Sequence, residues 1–307
     1  MIRATDLANV RVSLEHLRRQ SVQFARAQEQ VSSGRRVNRP SDDPAALRIG
    51  LRETRRIESL DARTQVLDQL RSTLSHTETE SRAAHSIVAR VRQIALSGRQ
   101  TVEPAERQLM VQELDTLRER LLGIANSQHG GVALFGGTST DRLPFEKAPD
   151  GTVTYVGSEE PMTASSEFGD WAAVLPVGRD VFQTTDGARV IDAFEVIADL
   201  RTTIENAGNQ PSTVSDPQFA QSLSDLEQIG DHLLQSIGTQ ALALEQIESA
   251  QNRFSDLKLE SETLRSQAIS ADMPKSIVEL QQAQTQTQFT MASLSKLFET
   301  SLLNFLA

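Results

Sequence analysis

Apolar residues recur at steps of three and four positions near both ends of the chain. This spacing is typical of a helix that buries one narrow stripe, or seam, against another helix. Four polar residues, Ser21, Gln28, Gln284 and Thr287, interrupt these seams. The apolar seam residues are Leu7, Val10, Leu14, Leu17, Phe24 and Val31 near the N-terminus, and Met273, Ile277, Leu280, Met291, Leu294 and Phe298 near the C-terminus.

Each terminus is therefore predicted to be a long amphipathic helix, which cannot bury its seam alone. We expect the two terminal helices to pair with each other and with further copies of the chain. The expected assembly interface consists of these apolar seam residues except Met273, together with Phe305. Polar residues within the seams suit helices that stay soluble alone and become ordered only in a polymer.

Similar repeats predict that the inner parts of the chain are also helical. One of these segments keeps a seven-residue register over most of its length, which is typical of coiled-coil-like packing. The predicted helices cover residues 44–98, 105–127, 189–206 and 218–267, and the last has Gly230, Gln240 and Gln251 at its weaker positions.

The segment after the first helix contains strong signals for a break. Gly34 is expected to end this helix, because glycine readily adopts the left-handed conformation of a C-cap. Pro40 then interrupts helical structure. A new helix is expected to begin with Ser41 or Asp42 as its N-cap and Pro44 in its first turn.

The middle of the chain has a different texture. Glycine pairs flank a short apolar run at residues 130–137. A phosphate-binding loop is one interpretation, but the sequence motif of such loops and the strand and helix that frame them are missing. A turn is therefore favoured. Asp150-Gly151 is a hairpin-turn signal before a predicted strand at 152–156. A small core is expected to contain Trp171, Val174, Val177, Val181 and Phe182.

These elements predict a mainly α fold with a small β-rich insert. The order is nested, with long coiled-coil-like helices and with the N- and C-terminal helices paired. We expect an inner domain from residues 1–40 and 270–307, a helical rod from 41–140 and 206–269, and an outer insert from 141–205.

Composition narrows the function further. The 307 residues carry a net charge of −10, which argues against nucleic acid as the main partner, although eight Arg and three acidic residues make the first 40 residues basic. That basic arm could contact a membrane or RNA, but a solvated face or a contact with neighbouring subunits is favoured. No apolar run is long enough for a membrane helix, and no cleaved leader is expected.

The residues that usually carry catalysis or bind metal do not form known patterns. Cysteine is absent, and the five His lack metal-ligand spacing. Asn38, Asp42 and Asp43 could be taken for calcium ligands, but the EF-hand pattern is missing and helix capping is favoured. We therefore expect no enzyme activity, no cofactor and no metal site.

Residues 33–46 resemble the N-terminal signature of the flagellin superfamily. Their Pro-containing form, from Pro40 to Pro44, is similar to that of the hook-associated proteins at the hook–filament junction. The turn from Leu134 to Thr138 and the tail from Ser301 to Leu306 also resemble that family, and the match covers about residues 1–140 and 218–307. The signature-loop residues are Gly34, Asn38, Pro40, Asp42, Asp43 and Pro44.

The resemblance implies a structural protein of the bacterial flagellum that joins the hook to the flagellin filament. The implied partners are copies of itself in a ring, a neighbouring hook-associated protein, flagellin, and a cytosolic export chaperone on the C-terminal helix. The implied location is extracellular, after type III export without a cleaved signal peptide. A minor flagellin of the filament and a cytosolic coiled-coil scaffold are the alternatives.

Overall fold

The computed structural model describes residues 4–98, 103–162, 165–166, 169–170, 175–206 and 217–306; side chains are not described for 4–10, 165–166, 169–170 and 297–306. The helices within these ranges are α1 (Ala4–Ser33), α2 (Pro44–Gly98), α3 (Pro104–Ala125), α4 (Gly178–Phe182), α5 (Ala193–Asn206), α6 (Pro217–Ile269) and α7 (Met273–Leu306). The strands are β1 (Gln128–His129), β2 (Val132–Ala133), β3 (Phe145–Lys147), β4 (Val153–Tyr155), β5 (Ser165–Ser166), β6 (Gly169–Asp170), β7 (Gln183–Asp186) and β8 (Arg189–Asp192). No helix in these ranges is long and apolar enough to cross a membrane.

The predicted fold class is confirmed, since the described residues form long helices and a small set of short antiparallel hairpins. The sequence predicted a helix that begins at residue 189, and this starting point was wrong. Residues Arg189–Asp192 form strand β8 instead, and the helix α5 begins at Ala193. The Asp192 carboxylate accepts the backbone N–H of Phe194 at 2.7 Å, which caps the helix at this later position.

The predicted hairpin at Asp150-Gly151 is confirmed. Strand β3 pairs with β4, so that Phe145 lies opposite Tyr155. Gly151 has φ +88°, which favours glycine, and the Asp150 carboxylate accepts the backbone N–H of Thr152 at 2.9 Å. Turn chemistry alone therefore identified this hairpin.

The glycine pairs at residues 130–137 lie in turns, as the favoured interpretation predicted. Gly130 and Gly131, with φ of +59° and +83°, connect β1 to β2. Gly137 has φ +59°, and a Cβ atom at this position would lie 2.5 Å from the backbone oxygen of Glu160. Two backbone segments therefore approach each other here more closely than a side chain would permit.

The chain divides into two compact units: Met1–Arg63 with Phe254–Ala307 forms unit 1, and Thr64–Arg253 forms unit 2. The helices α2 and α6 each contribute residues to both units. The three-part division predicted from the sequence stays a prediction.

Unit 2 contains a large hydrophobic core. Phe182 lies at its centre, with its ring 5.2 Å from that of Phe135 and 5.5 Å from that of Phe145, both edge to face. Val181 and Phe182 share this core with residues of α2, α3, α5 and α6, so they do not fill a separate small core. Trp171 and Val174, which were assigned to that small core, lie outside the described residues.

A layer of polar side chains interrupts the packing of α2 against α6 in unit 2. Gln240 is almost fully buried, and its Nε2 donates to the hydroxyl oxygens of Ser81 at 3.1 Å and Ser236 at 3.2 Å. Thr77, one turn before Ser81, is also buried. Buried polar groups of this kind need partners, and here the partners come from both helices.

Candidate functional site

The terminal helices α1 and α7 pack against each other within unit 1. They run antiparallel, because residues early in α7 meet the end of α1 and later residues meet its middle. The backbone N–H of Ala271, just before α7, donates to Gly34 O at 2.9 Å, and the hydroxyl of Thr290 donates to Gln20 Oε1 at 2.5 Å. The predicted pairing of the terminal helices within one chain is therefore present.

The seam between the two helices is shifted from the predicted one. Leu17, Phe24 and Val31 in α1 and Leu280 and Leu294 in α7 lie in it as expected. The alternate seam positions, however, are each one residue earlier than predicted. They are Ser13, Gln20 and Ala27 in place of Leu14, Ser21 and Gln28, and Ser276, Ala283 and Thr290 in place of Ile277, Gln284 and Met291.

Small side chains explain this shift. Ala27, Ser276 and Ala283 are buried in the seam, and their short side chains let the two helix backbones approach closely. At five of the six exchanged positions the predicted seam placed a larger residue; the exception is Gln20, which is larger than Ser21. Leu17 and Phe24 belong to both the predicted and the observed seam. The helices pack on the side of these two residues where the remaining seam residues have the smaller total volume.

The shift leaves large apolar side chains uncovered. Leu14 is 50% exposed, Ile277 42% and Met291 57%, and Phe289 on the same helix is 68% exposed. The side chains of Leu7, Val10, Phe298 and Phe305, also assigned to the assembly interface, lie outside the described residues. The terminal helix pair thus presents apolar surface that its own chain does not cover.

The segment from residue 34 to residue 44 (the signature loop) joins α1 to α2 and ends at the first residue of α2, and it contacts the turn between α6 and α7. Gly34 has φ +67°, and its N–H donates to Gln30 O at 2.9 Å, so the predicted C-cap is confirmed. The N–H of Arg36 donates to Ile269 O at 2.8 Å. Together with the bond from Ala271 to Gly34, this makes a short antiparallel pairing between the two segments.

Two acidic residues of the signature loop organise its backbone. One carboxylate oxygen of Asp42 accepts the N–H of Asn38 at 3.2 Å and of Arg39 at 3.0 Å, which closes the turn around the exposed Pro40. Asp43 accepts the N–H of Ala46 at 3.0 Å.

Asp43 is therefore the N-cap of α2, and the expectation of Ser41 or Asp42 as the cap was wrong. Pro44 occupies the first helical position, where its missing N–H leaves no intrahelical bond unmade. The hydrogen bond from Ala46 holds the pKa of the Asp43 carboxyl below its usual value, and the Arg36 guanidinium 3.4 Å away acts in the same direction. The charged form of Asp43 is thus the one that the fold uses.

A small apolar cluster completes this contact. Val37 is 2% exposed and packs with Ala46 and Ile269, with Leu47 and Ala268 at its edge. The sequence interpretation did not single out Val37, although it is the one apolar residue in an otherwise polar loop and could have been recognised by that contrast.

The polar groups of this site have a structural role. The carboxylates of Asp42 and Asp43 face backbone N–H groups, and within the described residues no group of three or more His, Asp or Glu side chains could hold a metal ion. The arrangement fixes the angle between successive helices and presents an apolar helix pair.

Comparison with known proteins agrees with this description. Residues 8–140, which include the whole signature loop, match the family described as the bacterial flagellin N-terminal helical region. The N-terminal region is therefore of the flagellin type. The resemblance drawn from the signature loop is confirmed by this match.

Two curated relatives to which the chain is similar are flagellar proteins. Flagellar hook-associated protein 3 of Salmonella typhimurium is 29% identical over 164 residues, which cover 51% of this chain and 49% of the relative. Polar flagellin C of Vibrio parahaemolyticus is 26% identical over 211 residues, which cover 67% of this chain and 53% of the relative. The matches thus span about half the length of these relatives.

Solved structures show the same flagellin-type fold. A flagellar hook-associated protein from Vibrio parahaemolyticus matches with a TM-score of 0.65 at 20% identity, over 75% of this chain and 100% of that one. Flagellar hook-associated protein 3 from Legionella pneumophila matches with a TM-score of 0.62 at 12% identity, over 69% and 96%.

Proposed function

We propose that this chain is a structural protein of the bacterial flagellum that joins the hook to the filament. The similarity to flagellar hook-associated protein 3 carries this proposal. Its work is mechanical rather than enzymatic: it connects two helical assemblies and transmits torque between them. The proposed location is outside the cell, on the flagellum.

The terminal helix pair is the proposed assembly element. Its intrachain seam uses small and polar residues, while Leu14, Ile277 and Met291 remain exposed. About half of each side chain is already covered, so burial of the rest would contribute about 0.7–1.5 kcal/mol each. Copies of the same chain in a ring, a neighbouring hook-associated protein and flagellin are the proposed partners that cover them.

The C-terminal helix has one further proposed partner, a cytosolic export chaperone. Before assembly, a helix with Phe289 and Met291 exposed would associate non-specifically, and a chaperone that covers it would prevent this. This part of the proposal comes from the family resemblance and from the exposure of these two side chains.

The experiment replaces the native gene in a motile strain by a version that lacks residues 290–307. We expect the truncated protein to keep a folded unit 2, because that unit lies entirely within residues 64–253. We also expect hooks without filaments, seen by electron microscopy of isolated flagella. Filaments of normal length with full motility would reject the proposal.

The similarity to Polar flagellin C supports a second candidate, a minor flagellin. Immunogold labelling of the full-length protein distinguishes the two. Label at a single position where hook and filament meet supports the junction protein, whereas label along the filament supports the minor flagellin.

A further inference from the structure

Unit 2 has a surface groove between α2 and α6. This α2–α6 groove measures about 450 Å³, and the half-exposed Leu96 of α2 and Leu234 of α6 form its apolar walls. Arg92 and Glu227 form an ion pair across it at 3.3 Å, and Asp231 lies at its rim. An apolar floor between charged margins is the usual form of a site that receives a helix.

Gly230 lines the same groove and has no evident role in the isolated chain. It lies in the interior of α6, where glycine is less favourable than any residue except proline. A Cβ atom at this position would meet nothing within 4 Å, so alanine would fit without any clash. Gly238 of the same helix is equally open, but only Gly230 of the two lines the groove, where its missing side chain leaves room for the close approach of another backbone.

The helix α3 has an outward stripe that complements this groove. Its members lie on the side opposite the buried residues Val111, Leu114, Leu117 and Leu121. A solvent-facing stripe is normally rich in charged residues, yet here Glu119, which is paired with Lys147 of the same chain, and Arg120 are the charged members, and Leu109 is 65% exposed. The outward stripe of α3 consists of Ala105, Leu109, Gln112, Thr116, Glu119, Arg120 and Gly123.

We infer that the α2–α6 groove receives the outward stripe of α3 from a second copy of this chain. Small and uncharged residues of the stripe fit beside Gly230, with Thr116 at its level, and Leu109, two turns away along α3, fits against Leu96. Charge supports the same pairing, because neither Arg120 nor Asp231 forms an ion pair within the described residues, and the two carry opposite charges.

This contact joins two different surfaces, so it is heterologous and propagates from copy to copy until a ring closes or a helix forms. The inference rests on the proposed function, since it names the surface through which the proposed ring assembles. It assigns to unit 2 a specific interface, separate from the terminal helix pair.

The test uses the absence of cysteine from the sequence. Thr116→Cys and Gly230→Cys are introduced together into the full-length protein in a motile strain, and isolated flagella are oxidised and analysed by non-reducing electrophoresis. A disulfide requires Cα atoms within about 7 Å, so only a direct contact gives covalent multimers. The matched control combines Thr116→Cys with Gly238→Cys, which lies on the same helix outside the groove and also has open space around it.

We expect a ladder of multimers from the first pair and none from the control pair or from either single variant. Incorporation without a ladder would overturn the interface while leaving the junction function intact, because the protein would still be present in the flagella. Dimers from Gly230→Cys alone would also overturn it, since they would indicate a symmetric contact between two grooves.

A second pair of variants keeps the inference testable if the double variant fails to assemble. Gly230→Trp fills the groove, and we expect it to lower the amount of protein in isolated flagella by about tenfold or more. Gly238→Trp should keep the wild-type amount. Equal incorporation of the two variants would overturn the proposed contact.

Discussion

The terminal helix pair and the core of unit 2 bury side chains in very different ways. In unit 2, Phe135, Phe145, Phe182 and Phe194 are at most 1% exposed and contact residues from several helices and hairpins. In the terminal pair, a single seam lies between two helices, and its described residues that are buried are small, apart from Leu294. Unit 2 thus has a three-dimensional core, whereas the pair has one line of contact.

This difference shows how one chain can contain a stably packed unit and also a helix pair whose apolar surface is not fully covered. Helices in proteins derive most of their stability from packing against other elements, because isolated helices are only marginally stable in water. Unit 2 supplies that packing from its own sequence. The terminal pair leaves Leu14, Ile277 and Met291 exposed and depends on further contacts to cover them. The following substitutions test this contrast.

The largest effect is expected in the core of unit 2. Phe182→Ala should lower the free energy of unfolding by about 3–5 kcal/mol, because it removes a fully buried ring and leaves a cavity. Urea denaturation followed by circular dichroism measures this change. The matched control, Phe289→Ala in the terminal pair, removes a ring that is 68% exposed and should change stability by less than about 0.5 kcal/mol. Similar losses for both variants would contradict the contrast.

A smaller and more local effect is expected for Leu294→Asp. This carboxylate would lie in the buried seam without a partner, so α1 and α7 should separate there more often. Amide hydrogen exchange in the two helices should accelerate about 100-fold, which corresponds to about 2.7 kcal/mol. Exchange in unit 2 should not change.

Met291→Asp is the control for this variant, because Met291 is 57% exposed on the same helix. It should leave exchange in α1 and α7 nearly unchanged. If both variants accelerate exchange equally, the seam would run through Met291, as the sequence first indicated, and the shifted register would be incorrect.

Two glycine substitutions should change stability in opposite directions. Gly34→Ala places a Cβ atom at φ +67° and should cost about 1–2 kcal/mol. Gly238→Ala, in the interior of α6 with open space around it, should stabilise by about 0.5–1 kcal/mol. Thermal unfolding of the two variants beside the wild type checks both signs. A loss for Gly238→Ala would reveal a contact that the glycine permits.

The smallest effect is expected for the acid dependence of the signature loop. Because the pKa of Asp43 in the folded chain is below the ordinary value of 3.8, its charged form stabilises the fold above that pH. This contribution should disappear as the pH falls below 3.8 and through the folded-state pKa. The stability difference between wild type and Asp43→Asn should therefore shrink toward acid pH.

Asp150→Asn offers the same measurement in unit 2. The hydrogen bond from the backbone N–H of Thr152 lowers the pKa of Asp150, so its contribution should disappear in the same direction. A difference between wild type and either variant that stays constant from pH 7 to pH 2 would show that its carboxylate charge does not matter.

Periodicity predicted the long helices well, because a long repeat contains many independent observations. Gly34 identified the end of α1, Pro44 the start of α2, and the Asp150-Gly151 pair a hairpin turn. These signals are local, because the backbone preferences of the residues act without tertiary context. The start of α5 was missed because Arg189–Asp192 pairs with β7, and strand pairing depends on a partner that is distant from the helical pattern.

The side of the terminal seam could not be read from the sequence. Leu17 and Phe24 fix the centre of the stripe, but Leu14 and Ser13 lie on either side of it at nearly equal angles. Hydrophobicity favours Leu14, whereas close helix packing favours the small residue, and only the partner helix decides between them. The sequence also showed the acidic residues of the signature loop without showing that Asp43 is the cap.

The polar layer at Gln240 fixes the alignment of α6 along α2. Translation of α6 by one heptad along α2 would keep apolar residues facing apolar residues almost everywhere, so hydrophobicity alone barely penalises the slip. It would, however, separate the Gln240 amide from Ser81 and leave it only its bond to Ser236 within α6, and the loss of one such hydrogen bond costs about 0.5–1.5 kcal/mol. One side chain therefore favours the correct alignment of these two repetitive helices over an alignment shifted by one heptad.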